Sequence, residues 1–133
     1  MAPFVWPVRV YIEDTDAGGI VYYVNYLKYL ERARSEWFRA MGYKKAALPD
    51  NFSMFVVTEV ALKYLSPARL DDELQVSVEL KSLGAAKLLF EQWVERDGQR
   101  LCGGEITVAC VDRDSLRPQR IPPAIRESLQ SWQ

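Results

Sequence analysis

The chain has 133 residues and a mass of 15.3 kDa, the size of one domain able to bury a core without disulfides or a structural metal. Hydrophobic residues make up 49% and charged residues 26%, which excludes a disordered chain, and 17 Lys+Arg against 18 Asp+Glu give a net charge of −1, which offers nothing to attract nucleic acid. There is no histidine, which excludes Ser-His-Asp and Cys-His nucleophile pairs, His-ligated zinc and His-based pH switching.

The two cysteines, Cys102 and Cys110, are too few for a thiolate zinc site. On one strand they would stand roughly 26 Å apart, too far for a disulfide. Reduced thiols fit a cytoplasmic protein. The segment 1–7 has no basic region and no long apolar core, so no signal peptide is expected, and no apolar run reaches the length of a membrane span. There is no repeat and no linker, so residues 1–133 read as one domain.

Val8, Val10 and Ile12 alternate with Arg9, Tyr11 and Glu13, which predicts a short strand with one buried face. It ends at Asp14-Thr15-Asp16-Ala17-Gly18-Gly19, a cluster of turn formers. A helix is expected to start between residues 23 and 25. Tyr26, Leu30, Ala33, Trp37 and Met41 recur at helical spacing along it, and Gly42 is placed to stop it. Trp37 and Phe38 read as core or interface, and Glu31 with Arg34 as an ordinary surface pair.

The rest alternates with period two. Residues 54–64 are β-prone, and 73–80 alternate almost perfectly. A turn at Gly84-Ala85-Ala86 leads into a strand over 87–95, and Asp97-Gly98 predicts a hairpin. The last strand spans about 100–111. Its Gly103-Gly104 pair predicts a bulge or a close approach. Pro122 and Pro123 open a short helix with Ile125 and Leu129 on one side. One long apolar helix against one face of an antiparallel sheet is an α+β arrangement. The other sheet face and the edges call for an oligomer.

The chemistry concentrates at residues 13–26. Three carboxylates and two glycines stand just ahead of a helix N-terminus, which offers unpaired N–H groups and a partial positive charge. Read as a polar turn, this is helix capping. Read as a site, it holds the parts for acyl transfer without histidine: N–H donors for an oxyanion, a carboxylate as nucleophile or base, and glycines that let substrate approach the backbone.

At this point the chain resembles a known family. Asp14-Thr15-Asp16-x-x-Gly19-Ile20-Val21-Tyr22-Tyr23-x-Asn25-Tyr26, followed by Tyr29-x-Glu31-x-Ala33-Arg34, is similar to the signature of the hotdog-fold acyl-CoA thioesterases. The branch is the 4-hydroxybenzoyl-CoA type, with the bacterial Tol-Pal-associated enzymes. A second block, Tyr64-Leu65-Ser66-Pro67-Ala68-Arg69-x-Asp71-Asp72, resembles the same family. The resemblance implies an antiparallel five-stranded sheet wrapped around one long central helix, and hydrolysis of an acyl-CoA to free acid and coenzyme A with no cofactor. It implies a homodimer or homotetramer.

Carried over by residue, Asp16 is the catalytic carboxylate, acting as nucleophile or as base toward water. Tyr23 aligns with the position whose backbone N–H polarises the thioester carbonyl in the family. Many family members have histidine at that place, so the tyrosine is a departure. Gly19, Tyr22 and Asn25 belong to the same loop. Thr58 and Glu59 lie on the strand that faces the neighbouring subunit's site. Lys87 aligns near a basic position that meets the coenzyme A phosphates in the family, with Arg69 and Lys63 as alternative phosphate partners. A non-catalytic acyl-CoA-binding scaffold and a thioesterase for acyl carrier protein are the alternative readings of the same residues.

Overall fold

The computed structural model describes residues 3–45 and 47–132. Its elements follow the predicted order: β1 (Phe4–Arg9), α1 (Asn25–Ala40), β2 (Ser53–Tyr64), β3 (Glu73–Leu83), β4 (Lys87–Arg96), β5 (Gln99–Asp112) and α2 (Pro123–Gln130). The strands form one antiparallel sheet in the order β1-β3-β4-β5-β2, and α1 packs along it. This is the α+β arrangement that the alternating segments predicted.

The helix is set by its apolar stripe. Tyr26, Leu30, Ala33 and Trp37 are buried, and Tyr29 and Phe38 widen the stripe into a face. Against it stand the inward residues of β3, Leu74, Val76, Val78 and Leu80, together with Leu88, Phe90 and Val94 of β4. The edge of the Trp37 ring meets Phe90 at 5.3 Å between centroids, tying helix to sheet at its centre. Gly42 has a φ of +100°, the left-handed conformation that ends a helix at little cost. Ile125 and Leu129 of α2 are buried, as their spacing predicted.

Asp97 and Gly98 both have positive φ and close the tight hairpin between β4 and β5. The Gly103-Gly104 pair marks a close approach. Pairing runs without a break through Leu62↔Gly104 and Lys63↔Gly103. A Cβ on Gly103 would collide with the Gln92 carbonyl and the Trp93 ring, and one on Gly104 with the Ala61 carbonyl. Register shifts lie between Val57 and Glu59 in β2, between Leu80 and Ser82 in β3, and between Val94 and Glu95 in β4, the last at Leu101 of β5, two residues before the glycine pair.

The first strand departs from its expected bounds. It begins at Phe4 and ends at Arg9, and Ile12 is 76% exposed rather than inward. The alternation breaks because residues Ile12–Asp14 coil into a 3-10 turn: the Tyr11 N–H donates to Asp14 Oδ2 at 2.9 Å, and the Thr15 N–H to the Ile12 carbonyl at 3.1 Å. Val10 stays fully buried through a bond from its N–H to the Asp72 carbonyl at 2.9 Å.

The two sheet edges differ. β1 carries Pro7, which cannot donate to a further strand. β2 carries no proline or glycine, and its Val57 and Val60 are exposed. Both cysteines are buried and free, and burial pushes the Cys102 thiol up to about 12. Among the described residues no helix is long and apolar enough to cross a membrane.

Candidate functional site

The loop ahead of α1 is held by its own backbone. Thr15 and Val21 form an isolated antiparallel bridge, so residues 15–21 make a small closed loop. The Asp16 N–H donates to the Ile20 carbonyl at 3.0 Å, and the Gly19 N–H to the Asp16 carbonyl at 3.0 Å. Gly19 has a φ of +75°, which a side chain would strain. Its carbonyl accepts the Leu70 N–H at 3.2 Å.

The carboxylates divide the work. Asp14 is buried and its carboxylate is committed to the Tyr11 N–H. Its carbonyl accepts the Tyr22 N–H at 3.0 Å and Asn25 Nδ2 at 2.8 Å. Asn25, itself buried, therefore ties the first helical residue to the loop. Asp16 is exposed. Its Oδ1 accepts the Gly18 N–H at 3.0 Å, which orients the carboxylate while leaving it open to solvent.

The helix end beside this loop is bare. Val24 stands at the N-cap and makes no side-chain cap, and the first turn of α1 contains no acid. The N–H groups of Tyr22 and Asn25 are bonded, whereas among the described residues those of Tyr23 and Val24 have no partner. The site thus combines a solvent-facing carboxylate with uncapped N–H donors at the positive end of a helix of Asn25–Ala40.

The second sequence block braces the first. The Val21 N–H donates to the Ala68 carbonyl at 2.9 Å, and the Ala68 N–H to the Tyr26 hydroxyl at 2.9 Å. Ile20 pairs with Arg69 in an isolated bridge. Asp72 Oδ2 takes the Arg69 N–H at 2.8 Å and Arg96 Nη1 at 2.7 Å. Burial alone would raise the Asp72 pKa, but these donors more than offset it and hold the carboxyl below its usual range. A depressed folded-state pKa adds stability above the unfolded value and loses it as pH falls through the folded one. Asp72→Asn is expected to flatten the loss of stability below roughly pH 4, by on the order of 1 kcal/mol, in urea titrations across that range.

The expected site residues fall into three groups. Asp16, Gly19, Tyr22, Tyr23 and Asn25 stand together on the loop and helix end, with Arg69 beside them at the Ile20 bridge. Thr58 and Glu59 lie exposed at the β2 bulge, with the Thr58 hydroxyl 3.4 Å from the Thr107 carbonyl. Lys87 begins β4 opposite the end of β3, whereas the loop adjoins the start of β3 through Val10 and Asp72. Within one chain the length of the strands separates Lys87 from Asp16. Glu31 and Arg34 make no ion pair, contrary to expectation. Arg34 turns inward, and its Nη1 donates to Gln92 Oε1 at 2.8 Å.

Sequence reasoning missed Tyr64. Its hydroxyl donates to the Tyr23 carbonyl at 3.1 Å, and its ring meets those of Tyr23 and Tyr26 edge-on at 6.1 and 5.6 Å. With Ile20, Val21 and the segment 65–67 these tyrosines line a cleft of about 320 Å³ next to the loop. The position of Tyr64 inside the second block was the available signal. Tyr29 lies beneath. Its hydroxyl is buried without a hydrogen-bond partner among the described residues, and burial followed by the nearby Asp14 carboxylate raises its pKa.

A family model described as the thioesterase-like superfamily matches residues 10–129. The chain belongs to that superfamily. It is 42% identical over 123 residues to an Escherichia coli protein named acyl-CoA thioester hydrolase YbgC, with 92% of each chain covered. It is 40% identical to a Haemophilus influenzae protein named acyl-CoA thioesterase YbgC, covering 95% of this chain and 93% of that one. Among solved structures it is similar to a hypothetical protein of Thermus thermophilus, with a TM-score of 0.89, 30% identity and coverage of 97% and 98%. A probable thioesterase from Bartonella henselae gives a TM-score of 0.81 at 29% identity, covering 91% of this chain and 98% of that one. The hotdog fold and the thioesterase family that the two sequence blocks implied are those of this chain.

Proposed function

We propose that this thioesterase-superfamily member hydrolyses the thioester of an acyl-CoA, with Asp16 as the reacting carboxylate and the Tyr23 N–H as the donor to the carbonyl oxygen. The single observation that carries the reading is the bare N-terminus of α1 beside an exposed, oriented Asp16. The names of the YbgC relatives supply the substrate class. A thioester carbonyl set against the helix end would be polarised by the unpartnered N–H groups, and the same groups would stabilise the oxyanion as the carbonyl carbon becomes tetrahedral. Asp16 then has two routes. It attacks the carbonyl carbon, expels the coenzyme A thiolate and leaves a mixed anhydride that water cleaves. Alternatively it takes a proton from a water molecule that attacks directly. Either route consumes one water and yields the acid and the thiol.

The site also needs a neighbour. A second copy pairing along the open β2 edge would cover Val57 and Val60 and carry Thr58 and Glu59 toward the other copy's loop. The acyl group would lie along α1 near that seam. Arg69 and Lys87 are the candidates for the coenzyme A phosphates, with Lys87 serving from the partner copy. Two buried free thiols fit the reducing cytoplasm.

Thiol release from short-chain, long-chain and aromatic acyl-CoAs tests the reading. Turnover on one class supports it, and no turnover on any acyl-CoA sinks it. Asn25 is a positioning residue in this scheme. Asn25→Ala is expected to cost about 1–2 kcal/mol of stability through the lost bond to Asp14. It should lower kcat by roughly tenfold with a smaller change in KM, because it loosens the geometry of the helix end rather than substrate binding.

A further inference from the structure

On the side of α1 that faces β2, two cavities of about 260 and 210 Å³ share Glu31, Arg34 and Val57. Phe38, Phe55 and Phe90 line the first, and Leu27, Val60 and Ile106 the second. Leu27, Glu31 and Arg34 are spaced four and then three residues apart, so they share one helix face and the groove follows the helix axis. It starts near the uncapped N-terminus of α1.

Arg34 is out of place on such a wall. Among the described residues no carboxylate lies within ion-pair distance of its guanidinium. It gives one hydrogen bond, to Gln92. Gln92 is fully buried and its amide is already satisfied by the Leu30 carbonyl at 3.1 Å and the Ser77 carbonyl at 3.2 Å. Gln92 therefore fixes the guanidinium without neutralising it. Burial pushes the Arg34 pKa down to about 10, with Glu31 opposing, so the group is still cationic at neutral pH. Among the described residues Glu31 is the one carboxylate lining the groove. It is exposed, and water screens it. A half-desolvated cation with unused donors in an apolar wall matches an anion that arrives on an apolar stem.

We infer that this groove is a subsite for acyl groups ending in a carboxylate, with Arg34 as the residue that selects them. The inference rests on the acyl-CoA reading and narrows it to ω-carboxyacyl thioesters. The rise from Asn25 to Arg34 is roughly 14 Å along the axis, and an arginine on a helix leans back toward the N-terminus, which shortens the span. A chain of medium length would bridge from the helix end to the guanidinium. The ω-carboxylate would accept the donors that Gln92 leaves free.

The test uses coenzyme A thioethers, which are not hydrolysed, so binding is read without turnover. Calorimetry would compare S-(ω-carboxyalkyl)-CoA with S-alkyl-CoA of equal length on the wild type, Arg34→Met, Arg34→Lys and Glu31→Gln. The wild type should bind the carboxylated form tighter by roughly tenfold or more. Arg34→Met should reverse that preference, Arg34→Lys should keep part of it, and Glu31→Gln should widen it. Each ratio is taken within one preparation, so partial unfolding of a variant does not move it. Equal affinities in the wild type, a preference that survives Arg34→Met, or no binding of either thioether overturns the inference. Failure of the acyl-CoA reading itself would show separately, as absent turnover in the thiol-release panel.

Discussion

Asp16→Asn is expected to lower kcat for thioester hydrolysis by several hundredfold or more, about 4 kcal/mol of barrier, with little change in KM or in melting temperature. Asparagine has the shape of aspartate and can still accept the Gly18 N–H through Oδ1, so the loop should keep its form. The side chain is exposed and fills no core space, so stability should hold. What is lost is the negative oxygen that, in the proposed mechanism, either attacks the carbonyl or draws a proton from water. Single-turnover kinetics on the wild type would then separate the two routes. Release of the thiol before the acid, with the acyl group trapped by hydroxylamine, identifies the anhydride. Simultaneous release identifies the base. A variant that retains the wild-type rate would move the reacting role to another carboxylate, with Glu59 of a paired copy the first to examine.

Much of this site was legible because it is local. Asp16, Gly19, Tyr22, Tyr23 and Asn25 lie within ten residues, and the helix that follows announces itself by the spacing of Tyr26, Leu30, Ala33 and Trp37. The strands were legible for the same reason, since Leu74, Val76, Val78 and Leu80 alternate without interruption. The misreadings have two other causes. Ile12 continued an alternation that a side-chain bond from the Tyr11 N–H to Asp14 cuts short. Arg34 looked like the partner of Glu31, three residues away, but its hydrogen bond goes to Gln92 across the interface with β4. Tyr64 is similarly remote in sequence from the Tyr23 carbonyl it holds. Period and spacing do not encode the local bond that turned the chain at Ile12, and they report only neighbours along the chain, whereas Arg34 and Tyr64 were decided by neighbours across the fold.

The second block shows how a distant segment enters the site. Ala68 has no functional group, yet its carbonyl and N–H bind Val21 and Tyr26, and the residue is fully buried. The loop bearing Asp16 is thus fixed from both sides, by Asn25 of the helix and by the strand connection. In the proposed mechanism such preorganisation would cost no rearrangement at the moment of reaction.

Gly104→Ala is expected to produce a large loss of stability, about 3 kcal/mol or more. The added methyl would sit against the Ala61 carbonyl and close to the Cα of Leu62, both parts of the backbone of β2. A flexible side chain could swing aside, whereas a strand backbone held by pairs on both sides of Leu62↔Gly104 cannot move without breaking them. The neighbouring Gly103 is closed in by the Gln92 carbonyl and the Trp93 ring, so β5 cannot retreat toward β4 either. The strain should therefore part β2 from the sheet at its Tyr64 end. That end holds the Tyr23 carbonyl, so the same substitution should reduce turnover beyond what the fraction unfolded explains. Urea denaturation followed by tryptophan fluorescence measures the stability, and the rate per folded molecule measures the second effect. A loss below about 1 kcal/mol would mean that the β2–β5 contact relaxes easily. An unchanged rate per folded molecule would mean that Tyr64 does not position the helix end.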